Sequence, residues 1–381
     1  MKILHTVEFY EPHKGGAEQV IKQISERLVQ SGHEVIVATT NHPDRNPGNI
    51  NGVRVIGFDI EGNIVKGINQ APGEVERYRN LLRSDFDLIL NYAAQNWTTD
   101  LALEELRIIK AKKVLVPCGY SGLHSKKYAG YFQELPSYLN YYDALVYMSK
   151  NYQDFKFGQE NNLAEKAIYI PNGASESEFC QSEEGVDFRR DFKIKTKYLA
   201  ISVSNHYIKK GHRFIAKAFK SMSRKDTTLV IIGQKYVSNG VKKYIHLFLD
   251  YFRCKILSLF NSRIKLISGD SREIVISAYK SADVFLFGSE IECAPLVTYE
   301  AFASHTPFVT RDVGNVSDHK DYLKIVNTPH QMAKTVNDIL DNPEAANIVS
   351  SKAYDYYQKN HEWGKIINKY EQMYKELTSK E

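Results

Sequence analysis

The chain has no C-x-x-C pair, no G-x-G-x-x-G fingerprint, no G-K-S/T sequence and no long uninterrupted apolar run. Each lack removes a class of function. Four cysteines, Cys118, Cys180, Cys254 and Cys293, are scattered over 381 residues, so their spacing indicates neither a zinc site nor a disulfide framework, and a reducing compartment is the simplest reading. Without the dinucleotide and phosphate-loop patterns, nicotinamide and ATP chemistry lose ground. No apolar stretch approaches the ~18 residues a membrane-crossing helix needs, and Lys2 leads straight into an apolar segment without a signal-peptide pattern. The expectation is a cytoplasmic protein. Strong charge of one sign is also missing: 50 basic against 45 acidic residues leave +5, which argues against nucleic-acid binding but permits anionic substrates or lipid headgroups.

What is present is alternation. KILHTVEF, the helical EQVIKQISERLVQ closed by Gly32, HEVIVAT, VRVIGFDI, DLILNYA, KVLVPCG and ALVYMS read as strands and a helix of a doubly wound parallel α/β sheet. The pattern pauses at residues 167 to 192, where turn residues and mixed charge replace periodic apolar positions. A second alternation follows, from YLAISVS through TTLVIIG, IKLISG and VFLFGS to PFVTRD, and the last fifty residues read as helices over 328–341, 344–359 and 362–378. The expected architecture is two Rossmann-like doubly wound domains facing a cleft. Residues 1–173 form the first, 174–360 the second, and a helix in 361–381 returns toward the first.

In such sheets ligands sit where loops and helix N-termini converge at the carboxyl ends of strands. Two loops have that position and suitable chemistry. HKGGAE places Gly15 and Gly16 before a helix, where the backbone can approach an anion closely. GSEIECAPLVTYEAFASH places Glu292 in a loop and Glu300 eight positions on, inside the helix that follows, with Pro295 near its first turn. Backbone N–H groups at that helix start form a cradle for a diphosphate, and Glu300 could reach back to ribose hydroxyls.

Taken in order, GGAEQVIKQISERLVQSGHEVIVAT, PNGASESEF, KKGHRFIAKAF, LVIIGQ, IKLISGDSREIVISAYKSADVFLFGS, ECAPLVTYEAFASHTPFV and GNVSD resemble the family 4 retaining glycosyltransferases of GT-B fold, over nearly the whole chain. The resemblance implies transfer of a sugar from a nucleotide diphosphate, most often UDP, to a glycan or lipid-linked acceptor in polysaccharide or glycoconjugate assembly. It implies that Glu292 and Lys210 serve catalysis, that Gly15, Gly16, Asn205, Lys210, Ala294, Leu296, Val297 and Glu300 bind the donor, and that no metal or other cofactor is needed. It further implies front-face attack, with a leaving-group phosphate oxygen taking the acceptor proton. The residues depart from the family pattern in places: Asn205 stands for a usual Arg, Pro295 and His305 for usual glycines, and Cys118 for the His of a His-Gly pair. His206, Lys209 and Arg213 are the nearby candidates for the missing charge. Asn96, Cys118, Tyr120, Ser121 and His124 are the acceptor-side candidates, with Trp97 able to line that pocket or to join the core.

Residues 235–265 carry seven basic residues and one acid, Asp250, interleaved with aromatics. This composition suits a helix lying in an anionic membrane interface as well as a core helix with a solvated basic face. Two other functions fit the same motifs: a sugar-nucleotide epimerase, which would need no acceptor, and a non-catalytic nucleotide-sugar-binding protein, which would bind without turnover.

Overall fold

The computed structural model describes residues 1–45, 48–180, 186–235, 247–269 and 271–379. They fall into two compact units. Met1–Asn172 together with the helix Trp363–Thr378 make the first, and Gly173–Glu362 make the second.

The first unit is built on β1 (Lys2–Thr6), β2 (Glu34–Thr40), β3 (Gly48–Ile50), β4 (Val53–Phe58), β7 (Leu88–Tyr92), β8 (Lys112–Val116), β9 (Ala144–Tyr147) and β10 (Ala167–Tyr169), while β5 (Ile60–Asn63) and β6 (Gly67–Gln70) pair as a separate hairpin. The sheet order is β10-β9-β8-β7-β1-β2-β4-β3, parallel except for the β3–β4 edge. The central strands are mostly apolar and covered by helices: on one face Leu4, Ile36 and Ile89 pack with Trp97 and Leu101, and further along the same face Leu115 and Leu145 pack with Phe132 and Leu139. The helix Trp363–Thr378 lies against Gly16–Gln30, its Tyr374 hydroxyl 3.3 Å from His5 Nε2.

Two features of this unit differ from the sequence expectation. β3 and the β5–β6 hairpin interrupt the parallel pattern, because their residues are mostly exposed and carry no apolar periodicity to betray them. β10 lies inside the stretch read as a pause; at three residues it is too short for a periodic signal.

The second unit holds β11 (Tyr198–Val203), β12 (Thr227–Ile232), β13 (Ile264–Ile267), β14 (Val284–Phe287), β15 (Phe308–Thr310) and β16 (Lys324–Ile325), all parallel, in the order β13-β12-β11-β14-β15-β16. The order reverses at β11, whose neighbours are β12 on one side and β14 on the other. The helices that follow β11 and β14 therefore lie on opposite faces, which makes a crevice for ligands at the carboxyl ends of these two strands. Among the described residues no helix is long and apolar enough to cross a membrane.

Candidate functional site

The loops after β11 and β14 are fastened to each other backbone to backbone. Gly211 has φ of +69°, and a Cβ there would lie 1.8 Å from the Gly288 carbonyl oxygen; a Cβ on Gly288 would meet the Gly211 oxygen at 2.6 Å. Only glycine fits at either point. Glu290 donates its N–H to the Lys209 carbonyl at 2.8 Å, and the Ser289 hydroxyl donates to the same oxygen at 3.3 Å.

That contact sets Lys210 beside Glu292. Lys210 Nζ is 2.7 Å from Glu292 Oε1, which also accepts the Ser289 hydroxyl at 2.6 Å. Both side chains are half-buried, so the pair is neither sealed in the core nor fully solvated. One oxygen therefore accepts both, and the ammonium keeps donors for another anion. The loop is backed by Gly314, at φ of +60°, where a Cβ would meet the Cys293 oxygen at 2.4 Å, and by Asn315, which donates its N–H to that oxygen at 2.8 Å.

The helix Leu296–Ala303 follows, with Pro295 in extended conformation at its N-cap. Leu296 and Val297 occupy its first turn, where N–H groups have no partner within the helix. Glu300 is buried in the same helix. Its Oε2 accepts the Tyr279 hydroxyl at 3.0 Å and its Oε1 pairs with Arg272 at 2.7 Å, while Arg272 also donates to Glu178 at 2.6 Å. Burial works against the Arg272 charge, but Glu300 and Glu178 more than offset it and raise the guanidinium above its ordinary value. Burial, then Glu300, pushes the Tyr279 hydroxyl well up, so it remains a donor. Glu300 is thus held in a fixed orientation before any ligand arrives.

Asn205 is tied elsewhere: its side-chain oxygen accepts the Gln234 N–H at 3.3 Å, at the end of β12. The three residues considered as replacements for the missing charge are also otherwise placed. Lys209 pairs with Glu290 at 2.9 Å, Arg213 is exposed, and His206 is buried against Asp250 rather than solvated. Arg311, which sequence reasoning missed, is a further cation in this neighbourhood: its guanidinium is 3.3 Å from the Gly288 carbonyl and 3.7 Å from Glu290. Ser289, Arg272 and Tyr279 were missed too. Only Ser289 had a signal, lying three residues before Glu292.

Beyond β12 and β13 a cavity of about 540 Å³ is lined by His206, Gly233, Gln234, Tyr251 and Ser268 among others. Its size is that of ordinary small-molecule sites.

In the first unit, Gly15 is the N-cap of Gly16–Gln30 and Gly16 its first residue; a Cβ on Gly16 would meet nothing within 4 Å, so the backbone there is open to approach. Burial, then Glu18, raises the nearby Glu8 carboxyl to about 7. The acceptor-side candidates divide. Ser121 and His124 are exposed. Cys118 is half-buried with φ of +57°, and burial pushes its thiol up to about 12, so it stays protonated at neutral pH. Tyr120 corrects the expectation: it is 1% exposed and packs edge-on against Phe132 and Phe157, because a φ of +47° turns its ring inward. Asn96 corrects it as well. This residue caps the helix Trp97–Leu103, accepting from Thr99 N–H and Thr98 hydroxyl and donating to the Tyr92 and Ala93 carbonyls, which uses its whole hydrogen-bonding capacity. Trp97 is core, with its indole N–H donated to Thr40.

Of the basic segment, residues 236–246 lie outside the described residues. A π-helical turn, Leu247–Phe252, leads into the helix Arg253–Phe260. Phe252, Ile256, Leu259 and Phe260 are exposed, the last by 87%, beside exposed Arg253 and Lys255, while Cys254 faces the core.

Two family profiles match the chain in succession: Glycosyltransferase Family 4 over residues 14–174 and Glycosyl transferases group 1 over residues 186–356. An uncharacterised glycosyltransferase of Methanocaldococcus jannaschii is 26% identical over 84% of this chain and 82% of its own length. The GPI3 subunit of a Saccharomyces cerevisiae phosphatidylinositol N-acetylglucosaminyltransferase is 19% identical over 98% of this chain and 82% of its own. Among solved structures, HepE of Anabaena in complex with UDP-glucose superposes with a TM-score of 0.76 at 16% identity, covering 98% of this chain and 99% of that one.

Proposed function

The chain belongs to the family 4 glycosyltransferases of GT-B fold, and from that premise we propose that it is a retaining, metal-independent transferase that moves a hexose from a UDP-sugar to a lipid-linked glycan acceptor. The observation that carries this reading is the Lys210–Glu292 pair, held at 2.7 Å by two loops that only glycine allows to touch.

A donor would part the pair. Its diphosphate takes the Lys210 ammonium and the N–H groups of Ala294, Leu296 and Val297; its sugar hydroxyls take Glu292, freed from the lysine but still aligned by Ser289. As the glycosidic bond breaks, negative charge grows on the leaving phosphate, so these donors stabilise the transition state more than the ground state. A phosphate oxygen of the leaving group accepts the acceptor hydroxyl proton, so no protein base and no metal enter the step. Glu300, clamped by Arg272 and Tyr279, has lone pairs remaining for the ribose hydroxyls. The base would occupy the cavity at the ends of β12 and β13, where Asn205 fixes one wall. In the first unit, Gly15 and Gly16 leave the backbone open to an anion, and Ser121 and His124 offer exposed polar groups to an acceptor.

A lipid-linked acceptor is favoured by the outward face of residues 252–260, where four large apolar side chains stand beside cations. Such a face suits peripheral attachment to an anionic cytoplasmic leaflet. The experiment is a panel of UDP-, GDP- and ADP-sugars measured by calorimetry, then turnover with lipid-linked acceptors. UDP-sugars are expected to bind and to turn over without divalent ions; if no nucleotide-sugar binds, the transferase reading fails. Liposome flotation tests the membrane face separately: binding to anionic vesicles that weakens with salt is expected, and none would remove it.

A further inference from the structure

We infer that the second unit carries a structural binding site for a borderline-soft divalent cation, zinc first, made by His206, His212, Asp250 and Cys254. All four side chains are buried, and one ligand atom from each lies within 4.8 Å of every other. Both histidines aim Nδ1 at one carboxylate oxygen: His206 at 3.0 Å and His212 at 2.7 Å from Asp250 Oδ2. Cys254 completes the cluster from the core side of its helix, at 2% exposure. Two imidazoles, a carboxylate and a thiolate are a ligand set that zinc accepts in tetrahedral geometry, with bonds of about 2.0 to 2.3 Å, the Cys254 proton leaving to solvent as the metal binds. Closing on a cation of that size needs small side-chain shifts, chiefly at the outermost pair.

The outer contacts agree. A metal-bound histidine ordinarily donates its second ring N–H to a neighbour, which fixes the ring. His212 Nε2 is 2.8 Å from the Ser204 hydroxyl, placed to do so once Nδ1 carries the metal. His206 is braced by the Tyr251 ring, edge-on at 5.1 Å.

The site's position gives it a use. His206 and His212 bracket the short turn Ile208–Lys210, while Asp250 and Cys254 sit one helical turn apart at the junction of Leu247–Phe252 and Arg253–Phe260. A cation here would tie that segment, which packs on β13 through Cys254 and Leu257, to the loop that presents Lys210. It touches no reacting group, although His206 and Tyr251 also line the cavity assigned above to the base; metal content and spectra therefore read the cation site apart from donor binding and turnover.

The test is metal content and spectroscopy on the full-length protein. Protein from zinc-supplemented cultures is expected to retain close to one zinc per chain after desalting. Exchange with Co²⁺ alone should give the strong visible bands of tetrahedral cobalt with a near-ultraviolet thiolate band. Cys254→Ser should lose the thiolate band, and Ser204→Ala, which leaves every ligand in place, should weaken Co²⁺ binding roughly tenfold to a hundredfold. Substoichiometric zinc together with no cobalt spectrum, or a spectrum unchanged by Cys254→Ser, would overturn the assignment and leave a hydrogen-bonded His–Asp–His cluster. Should Cys254→Ser not fold, Asp250→Asn read by the same spectrum takes its place.

Discussion

The loops at the carboxyl ends of β8 and β11 are held in place in different ways. After β8, the chain passes through Cys118, Gly119 and Tyr120, all at positive φ, and its polar groups are used to hold that shape: Gly119 donates its N–H to Asp154 at 2.8 Å, and Gln153 donates to the Gly119 and Tyr120 carbonyls. After β11, the strain is confined to Gly211, and the neighbouring lysine and the facing glutamate remain half-buried side by side. The β8 loop is gripped by its backbone from the helix Gln153–Glu160, and Ser121 and His124 are left exposed on it. A loop braced by backbone contact with its neighbour keeps its charges available.

The largest effect should come from the second loop. Glu292→Gln is expected to lower turnover on the order of 10²–10³-fold with UDP binding nearly unchanged, since the side chain serves the sugar and its transition state. Lys210→Ala should weaken UDP binding itself by roughly ten- to a hundredfold, the size of a lost charge-assisted hydrogen bond. If substitutions at Ser121 or His124 abolished turnover while these did not, the contrast between the loops would be reversed.

Next in size is Gly211→Ala. The new methyl group would collide with the Gly288 carbonyl and sit at positive φ, so a stability loss of about 2 to 3 kcal/mol is expected in a urea titration. The β8 loop should answer to core and cap rules instead. Tyr120→Phe, which removes a buried hydroxyl lacking a partner among the described residues, should change stability by less than about 1 kcal/mol and leave acceptor KM unchanged. Asn96→Ala should cost about 1 kcal/mol as a lost helix cap. An altered acceptor KM in Tyr120→Phe would show that the ring reaches substrate after all.

The smallest effect is a slope with pH. Burial raises the Asp154 carboxyl to about 6, so the folded protein holds a proton that the unfolded chain releases near pH 4. The resulting stability is fully present below about pH 4 and is lost as pH rises through about 6. Asp100, raised to about 6 by burial, acts in the same sense. Thermal unfolding followed from pH 4 to 7 should therefore show a decline that is shallower in Asp154→Asn.

Legibility followed the range of the interaction. The longer strands of both sheets and the closing helices appear as local apolar patterns, unlike the short edge strands β3 and β10, and Glu292 and Glu300 stand out because their loop-to-helix spacing is short-range information. Asn96 and Tyr120 were misjudged because a cap and an inward-turned ring depend on backbone angles that residue type does not announce. Arg272 and Tyr279 were missed because they reach Glu300 from a helix far away in sequence. Cysteine spacing gave no hint of zinc, yet Cys254 meets His206 and His212 in space.

The amino-acid order alone determined the α/β class, where the longer strands and the closing helices fall, and the two glutamates eight positions apart, since each is written in neighbours a few residues away. Tertiary structure decided which charges face each other. β11 lies between β12 and β14, so its loop meets the β14 loop through Gly211 and Gly288, and its histidines meet Asp250 and Cys254. Such meetings depend on strand order and close packing, which no local period encodes.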